Sequence, residues 1–529
     1  MGKRSLAGIA GIVAAATLLS KVFGLLREAV IAASFGVGPI TDAYAIAYVI
    51  PGFLLVLLGG INGPFHSAIV SVVAKRKKED IASLVETVTT LIGVVLIVVT
   101  LLIGIFAPQI ITIFGQDANP ATQAIAVAQL RIMAPITVFA AFIVIGFGTL
   151  NAADQYWPPS GSPLLSSSAV IVALGAFWLF SGGDISDPQV AITGGMVLAA
   201  GTLVGAILQW LIQVPALWKA GLGRPRPGFN FKDRGVRDVM KVLAPATFAS
   251  GTFQINVATD LYFATAIDGA AASLGFANLL VQAPLGIVSN IVLVPFLPIF
   301  SRLTEPAQWP ELKQRIRQSL VLVGLTMLPM SALVMTLARP IVRVAYERGN
   351  FGEEDVRIVT SILFAYGLGM FVYLARDVMV RVFYALGDGK TPFNISLVNI
   401  GFNALFDWIF FRVLGLGAPG LVFATIGVNI VSLIAMTFFL ARKIDGLPIF
   451  EWTKTLATIT VASFLAGLSC WLTQGGLASI IGTDGFVVNL IQLCIAGAMG
   501  MATFALLAFV LRIPEAGLLA NRIREKLGR

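Results

Sequence analysis

Apolar residues run through this chain in blocks of twenty or more, separated by short segments that hold most of the charge and many of the prolines. About 20 apolar residues span a bilayer as a helix. Read with that length, the pattern predicts fourteen helices, near 5–34, 40–74, 83–114, 121–150, 163–181, 189–218, 236–266, 270–302, 313–346, 354–387, 392–414, 418–441, 453–474 and 485–512. Several exceed one crossing and are expected to tilt or to extend into water. The N-terminal Met-Gly-Lys-Arg leads into an apolar run with no small-residue cleavage site, which reads as a retained first helix.

Three landmarks recur at one spacing. Pro51-Gly52 returns as Pro284-Leu285-Gly286 at 233, Ala107-Pro108 as Arg339-Pro340 at 232, and Ala152 to Pro159 as Ala385 to Pro392 at 233. The interval covers six helices, an even number, so the copies share one topology and are parallel repeats. The predicted fold class is an all-α polytopic membrane protein: two parallel six-helix repeats about a central cavity, plus two extra C-terminal helices. The expected domains are an N-lobe at 1–222, a basic linker at 223–235, a C-lobe at 236–445, a helix pair at 446–513 and an amphipathic tail at 514–529.

Composition agrees: 57% of residues are hydrophobic, 12% are charged, and mean hydropathy is +0.90 over 529 residues. No soluble core absorbs that much apolar surface. The net charge of +9 reflects loop placement rather than a nucleic-acid partner. Lys75-Arg76-Lys77-Lys78, the Lys219 to Lys241 region, Arg302 with Lys313, Arg315 and Arg317, Lys390, Arg442-Lys443 and the tail arginines share the side of Lys3-Arg4. The opposite loops carry few cations, Arg348 being the main exception. The positive-inside rule then puts both termini in the cytoplasm.

Enzymatic signatures are scarce. His66 is the only histidine, so a His-based zinc site or a Ser-His-Asp triad lacks its parts, and no phosphate-binding Gly-x-x-x-x-Gly-Lys-Ser/Thr loop occurs. Cys470 and Cys494 each lie in an apolar run and read as small core residues.

The ionisable groups inside spans carry the functional signal. Lys21, Arg27, Glu28 and Asp42 fall within 22 positions, with Arg131 further on. A charge at a helix centre costs roughly 2.5–3.5 kcal/mol, so these side chains must meet something polar. They either line a hydrated cavity that receives an anion, or are settled locally, Arg27 by a neighbouring helix and Lys21 by snorkelling. Lys21 and Glu28 share a helix face, whereas Arg27 is turned about 120° from Lys21; a distortion at Gly24 would let them converge. Arg27 is the best candidate for an anionic head group, because guanidinium offers phosphate a bidentate fork. In the second repeat Asp260, Asn403, Asp407 and Thr425 supply carboxylate, amide and hydroxyl oxygens suited to a hard cation such as Na⁺. The alternative is that Arg412, or the Arg376-Asp377-Arg381 group, neutralises the acids.

Three stretches resemble one family. Ser20-Lys21-Val22-Phe23-Gly24-Leu25-Leu26-Arg27-Glu28 with Phe35-Gly36 and Thr41-Asp42-Ala43-Tyr44, then Glu347-Arg348-Gly349-Asn350-Phe351, then Phe383 to Pro392, are similar to the MurJ (MviN) lipid II flippases of the multidrug/oligosaccharidyl-lipid/polysaccharide exporter superfamily. The resemblance implies that undecaprenyl diphosphate bearing a disaccharide-pentapeptide is moved to the outer leaflet by alternating access. It implies too that the last two helices offer a groove to the lipid tail, with lipid II, membrane lipids and cell-wall synthesis proteins as partners. It puts the family's cavity residues on Lys21, Arg27 and Asp42, with no cofactor, and a Na⁺ coupling ion on Asp260, Asn403, Asp407 and Thr425. This chain departs at Leu55, where the family carries Arg, and at Ala277 to Pro284, where Asn278, Leu279 and Gln282 stand for Asp, Arg and Glu. Asn278 and Gln282 would then offer hydrogen bonds instead of charge. A flippase for another polyprenyl-linked glycan, a cation-coupled drug exporter, a polyprenyl-sugar transferase and a cell-wall scaffold are the other readings.

Overall fold

The structure, a computed structural model, describes residues 6–58, 72, 78–181, 187–224, 226–230 and 232–511. His66, the Lys75 to Lys77 cluster and the tail from 514 lie outside the described residues. Among those described, all regular structure is helical.

The first part of the chain forms α1 (Leu6–Phe35), α2 (Pro39–Leu58), α3 (Lys78–Ile105), α4 (Ala107–Phe114), α5 (Pro120–Met133), α6 (Ile136–Ala152), α7 (Trp157–Phe180), α8 (Pro188–Leu211), α9 (Gln213–Ala220) and α10 (Arg234–Ala264). The rest forms α11 (Ala270–Val288), α12 (Val294–Ser301), α13 (Trp309–Thr336), α14 (Ala338–Tyr346), α15 (Glu353–Ala385), α16 (Lys390–Asp407), α17 (Gly417–Lys443), α18 (Ile449–Ile481) and α19 (Phe486–Val510). Ten helical segments among the described residues are long and apolar enough to cross a membrane, and α5 with α6, bent by 43° at Ala134-Pro135, makes an eleventh. The remaining three expected spans correspond to α1, α10 and α2, of which α2 is apolar over the shorter stretch Pro39–Leu55. The total is consistent with fourteen.

The repeat is visible in the elements. Short amphipathic α4 follows long α3 as α14 follows α13, and a helix opening at Trp157 in one half matches one opening at Lys390 in the other. The copies differ where Pro135 breaks α5 from α6, because proline cannot donate to the preceding turn; α15 runs unbroken through the equivalent place.

By contacts the chain forms two compact units, Met1–Ala272 with Arg348–Phe351, and Ser273–Glu347 with Gly352–Arg529. The repeat assigns α10 to the second lobe, yet α10 groups with the first unit, packing on α2. Within that unit α7 packs on α8, α1 on α7, α2 on α5, and α3 on α6. Leu84 and Val88 of α3 meet Ala140 and Val144 of α6 in its core, while Val94, Val95, Val98, Leu101 and Ile105 on the other face of α3 are exposed, as lipid-facing residues are. The α7–α8 contact is close because Gly201 and Gly205 leave no room for more: a Cβ on Gly205 would lie 2.8 Å from the Ser166 carbonyl oxygen. This small-x-x-x-small spacing is how membrane helices approach. In the second unit α13 packs on α15 and α18, α15 on α17, α16 on α17, and α18 on α19.

Candidate functional site

The first unit holds the submerged charges. α1 is helical through Gly24 without a break, so the distortion that would let Lys21, Arg27 and Glu28 converge is absent. Arg27 instead turns to its chain neighbour: Nε donates to Glu28 Oε1 at 3.1 Å and Nη2 to the same oxygen at 2.5 Å. The pair is not sealed, since the Arg27 and Glu28 side chains keep 27% and 19% of their surface exposed. Lys21 is exposed on a stretch where Leu18, Val22 and Leu26 are exposed too.

Sequence reasoning missed the residues that complete this group. Tyr44 and Tyr48 of α2 lie close enough to Arg27 to interact with it electrostatically. Their rings stack at 5.8 Å, and the Tyr44 hydroxyl shares a 3.0 Å hydrogen bond with Thr202 Oγ1 of α8. The signal was available: two tyrosines at i and i+4 present hydroxyls from one face of an otherwise apolar span. Gly52 belongs to the same design, since a Cβ there would strike the Tyr48 ring at 2.9 Å. The arrangement presents a guanidinium, a carboxylate and phenol hydroxyls together, with the guanidinium partly open to a guest.

Asp42 is placed differently. It is buried, and both its oxygens accept backbone N–H groups at the start of α11, from Gly269 and, at 2.9 Å, from Ala272. Beside it Thr41 ties the α1–α2 turn, donating to the Gly36 carbonyl at 3.1 Å and accepting from the Gly38 N–H at 3.1 Å. Arg131 is exposed and donates to the Gly104 carbonyl at 3.2 Å, an acceptor freed where α3 ends near α4.

The other family-like stretches fold into connectors. Gly349 has φ +61° and a Cβ on it would collide with the Ala33 carbonyl, while Asn350 donates from N to Ala33 O at 2.9 Å and from Nδ2 to Ser34 O at 2.7 Å. Asp388 accepts from Thr391 N at 3.0 Å, Thr391 Oγ1 at 2.9 Å and Lys443 Nζ at 2.8 Å, fixing the turn into α16. Burial pushes the Asp388 carboxyl up, but the Lys443 ammonium and the Thr391 donors outweigh it and hold it at about 2.

Of the predicted cation ligands, Asp260 is half-buried on α10 in the first unit. Asn403 and Asp407 are buried on one face of α16, Asn403 Nδ2 donating to Asp407 Oδ2 at 2.9 Å, and Thr425 lies on the neighbouring α17 with its hydroxyl donating to Leu421 O. Immediately after Asp407 the helix widens into a π-helical turn, Trp408–Val413, a distortion found often at functional positions. Asp377 is engaged by Arg376 at 3.5 Å, so that group is in part self-neutralised. Asn278 and Gln282 stand one turn apart on the exposed face of α11 with Gly275. Leu55 packs against the α3–α6 core.

Paired repeats of long apolar helices with a partly open arginine group in the first unit are the build of a polytopic transporter. A solved structure described as lipid II flippase MurJ in an inward closed conformation superposes with a TM-score of 0.76 at 23% identity, over 94% of this chain and 99% of that one. A multidrug resistance MATE family transporter of the MOP superfamily superposes at 0.60 with 16% identity, over 84% of this chain and 99% of its own. The model of the family described as lipid II flippase MurJ matches residues 31–490. A probable lipid II flippase MurJ from Synechocystis sp. is 49% identical over 99% of this chain and 98% of its own length; the lipid II flippase MurJ of Burkholderia cenocepacia is 28% identical over 86% and 88%. The chain belongs to the MurJ lipid II flippase family.

Proposed function

We propose that this protein moves lipid II, undecaprenyl diphosphate carrying a disaccharide-pentapeptide, from the cytoplasmic to the outer leaflet of a bacterial inner membrane, both termini lying in the cytoplasm. Family membership along nearly the whole chain supports the transport class. The observation that carries the choice of ligand is Arg27, a partly exposed guanidinium on α1 that interacts with Glu28, Tyr44 and Tyr48. A diphosphate exchanges for Glu28 as the partner of Arg27, and Lys21, one and a half to two turns back along α1, adds a second cation toward the basic side. Asp42 acts on this reading by holding the start of α11. Asn403, Asp407 and Thr425, all in the second unit, are the oxygen and amide groups proposed to take Na⁺, the coupling ion.

The test is translocation of labelled lipid II in proteoliposomes. Wild type is expected to translocate it; Arg27→Ala is expected to fold and insert but to lose transport, with Arg27→Lys intermediate because it keeps charge without the fork. Wild-type rates for Arg27→Ala would refute the assignment of the diphosphate to this group.

A further inference from the structure

In the second unit, α13 and α18 begin side by side and leave a cavity of about 490 Å³ between their first turns. Pro310, Lys313 and Arg317 line it from α13, and Glu451, Trp452 and Lys454 from α18. Lys313 and Arg317, at i and i+4, point from one helix face, an arrangement that repels unless an anion is near. Lys313 Nζ donates to the Asp445 carbonyl at 3.1 Å and Arg317 Nη2 to Thr455 Oγ1 at 3.4 Å. Arg315, on another face, is instead matched to Glu311 at 3.1 Å. Three cations thus meet one carboxylate among the described lining residues. The first turns of both helices add their positive dipole ends. Next to the cavity the first residues of α18, Ile449 and Phe450, are exposed, Phe450 by 83%. A soluble anion has no use for that apolar edge, whereas a lipid lays its acyl chains there.

We infer that this cavity holds the phosphate of an anionic glycerophospholipid from the basic-side leaflet, bound as a resident lipid apart from the transported one. Basic pockets between spans on that side recognise such head groups. The site is distinct from the Arg27 group, which belongs to the other unit, and its occupancy does not depend on the identity of the cargo.

The test is native mass spectrometry of the full chain in detergent, titrated with phosphatidylglycerol or phosphatidylcholine. Phosphatidylglycerol is expected to bind at clearly lower concentration, and Lys313→Gln and Lys454→Gln each to weaken it about fivefold while leaving phosphatidylcholine unchanged. Glu451→Gln is expected to tighten it. Arg442→Gln removes an exposed cation that stacks on Phe438 and is expected to have no effect, as is millimolar inorganic phosphate. Equal affinity for the two lipids, equal weakening by Arg442→Gln, no response to Glu451→Gln, or displacement by inorganic phosphate would each overturn the inference.

Discussion

The Ala272 N–H donates to Asp42 Oδ1 at 2.9 Å, and the second carboxylate oxygen takes the Gly269 N–H. Helix starts leave up to four N–H groups without an intrahelical acceptor, and an anion there also meets the positive end of the helix dipole. Asp42 is therefore a cap supplied from a different helix. Asp42→Ala is expected to cost about 1–2 kcal/mol, read as a lower melting temperature in detergent. Asp42→Asn, which keeps one acceptor, should retain most of the stability. Equal melting of wild type and Asp42→Ala would exclude this role.

Much of the fold was legible in the sequence, because a bilayer forces long apolar helices and positions them by length. The repeat was legible as well, since Pro51, Pro284 and the residues before the fifth and eleventh spans mark the same joints. What the residues of the motifs do was not legible. Gly349 is glycine because its φ is +61° against the Ala33 carbonyl, and Asp388 is acidic because it ties Thr391 to Lys443; both depend on partners far off in sequence. The Arg27–Glu28 contact escaped a helical-wheel reading because long side chains at i and i+1 can bend toward each other although their Cβ atoms diverge.

Glu86 shows the same limit. It sits in the first turns of α3 and is 5% exposed, and it accepts the Arg224 N–H at 3.0 Å and Arg226 Nε at 2.8 Å. Thr90 takes the Gly228 N–H at 2.8 Å and Thr87 that of Asn230 at 3.3 Å. The basic linker is thereby strapped to α3, and Gly228 passes so close that a Cβ would lie 2.5 Å from Thr87 N. Glu86→Ala removes the acceptor of two donors and is expected to expose the linker. Proline follows both Arg224 and Arg226 and blocks trypsin there, but limited chymotrypsin digestion should cut after Phe229 several-fold faster than in wild type; an unchanged cleavage rate would count against the strap.

Asp388 predicts an acid response. Its folded value, about 2, lies below the unfolded value of about 3.9. A depressed carboxylate contributes stability that is full above the unfolded value and disappears as pH falls through the folded one. The melting difference between wild type and Asp388→Asn should therefore be constant from about pH 7 to about pH 5, then shrink between about pH 4 and about pH 2. A difference that stays constant over that lower range would show that the Lys443 contact does not shift this carboxyl.

The proposed Na⁺ site is tested without transport. Asn403 and Asp407 are buried one turn apart where α16 passes into its π-helical turn, and a bound cation stabilises the folded state by RT ln(1 + [L]/Kd). Replacing potassium with sodium at constant ionic strength should raise the wild-type melting temperature. A chloride salt of a large organic cation should behave like potassium, because a site made of carboxylate, amide and hydroxyl groups selects by size and hardness. Asp407→Asn removes the negative charge and should abolish the sodium increment, while Thr425→Val, which removes one oxygen, should reduce it. If sodium and potassium stabilise wild type equally, these residues do not form a sodium site, and the buried carboxylate of Asp407 serves packing and hydrogen bonding within the second unit.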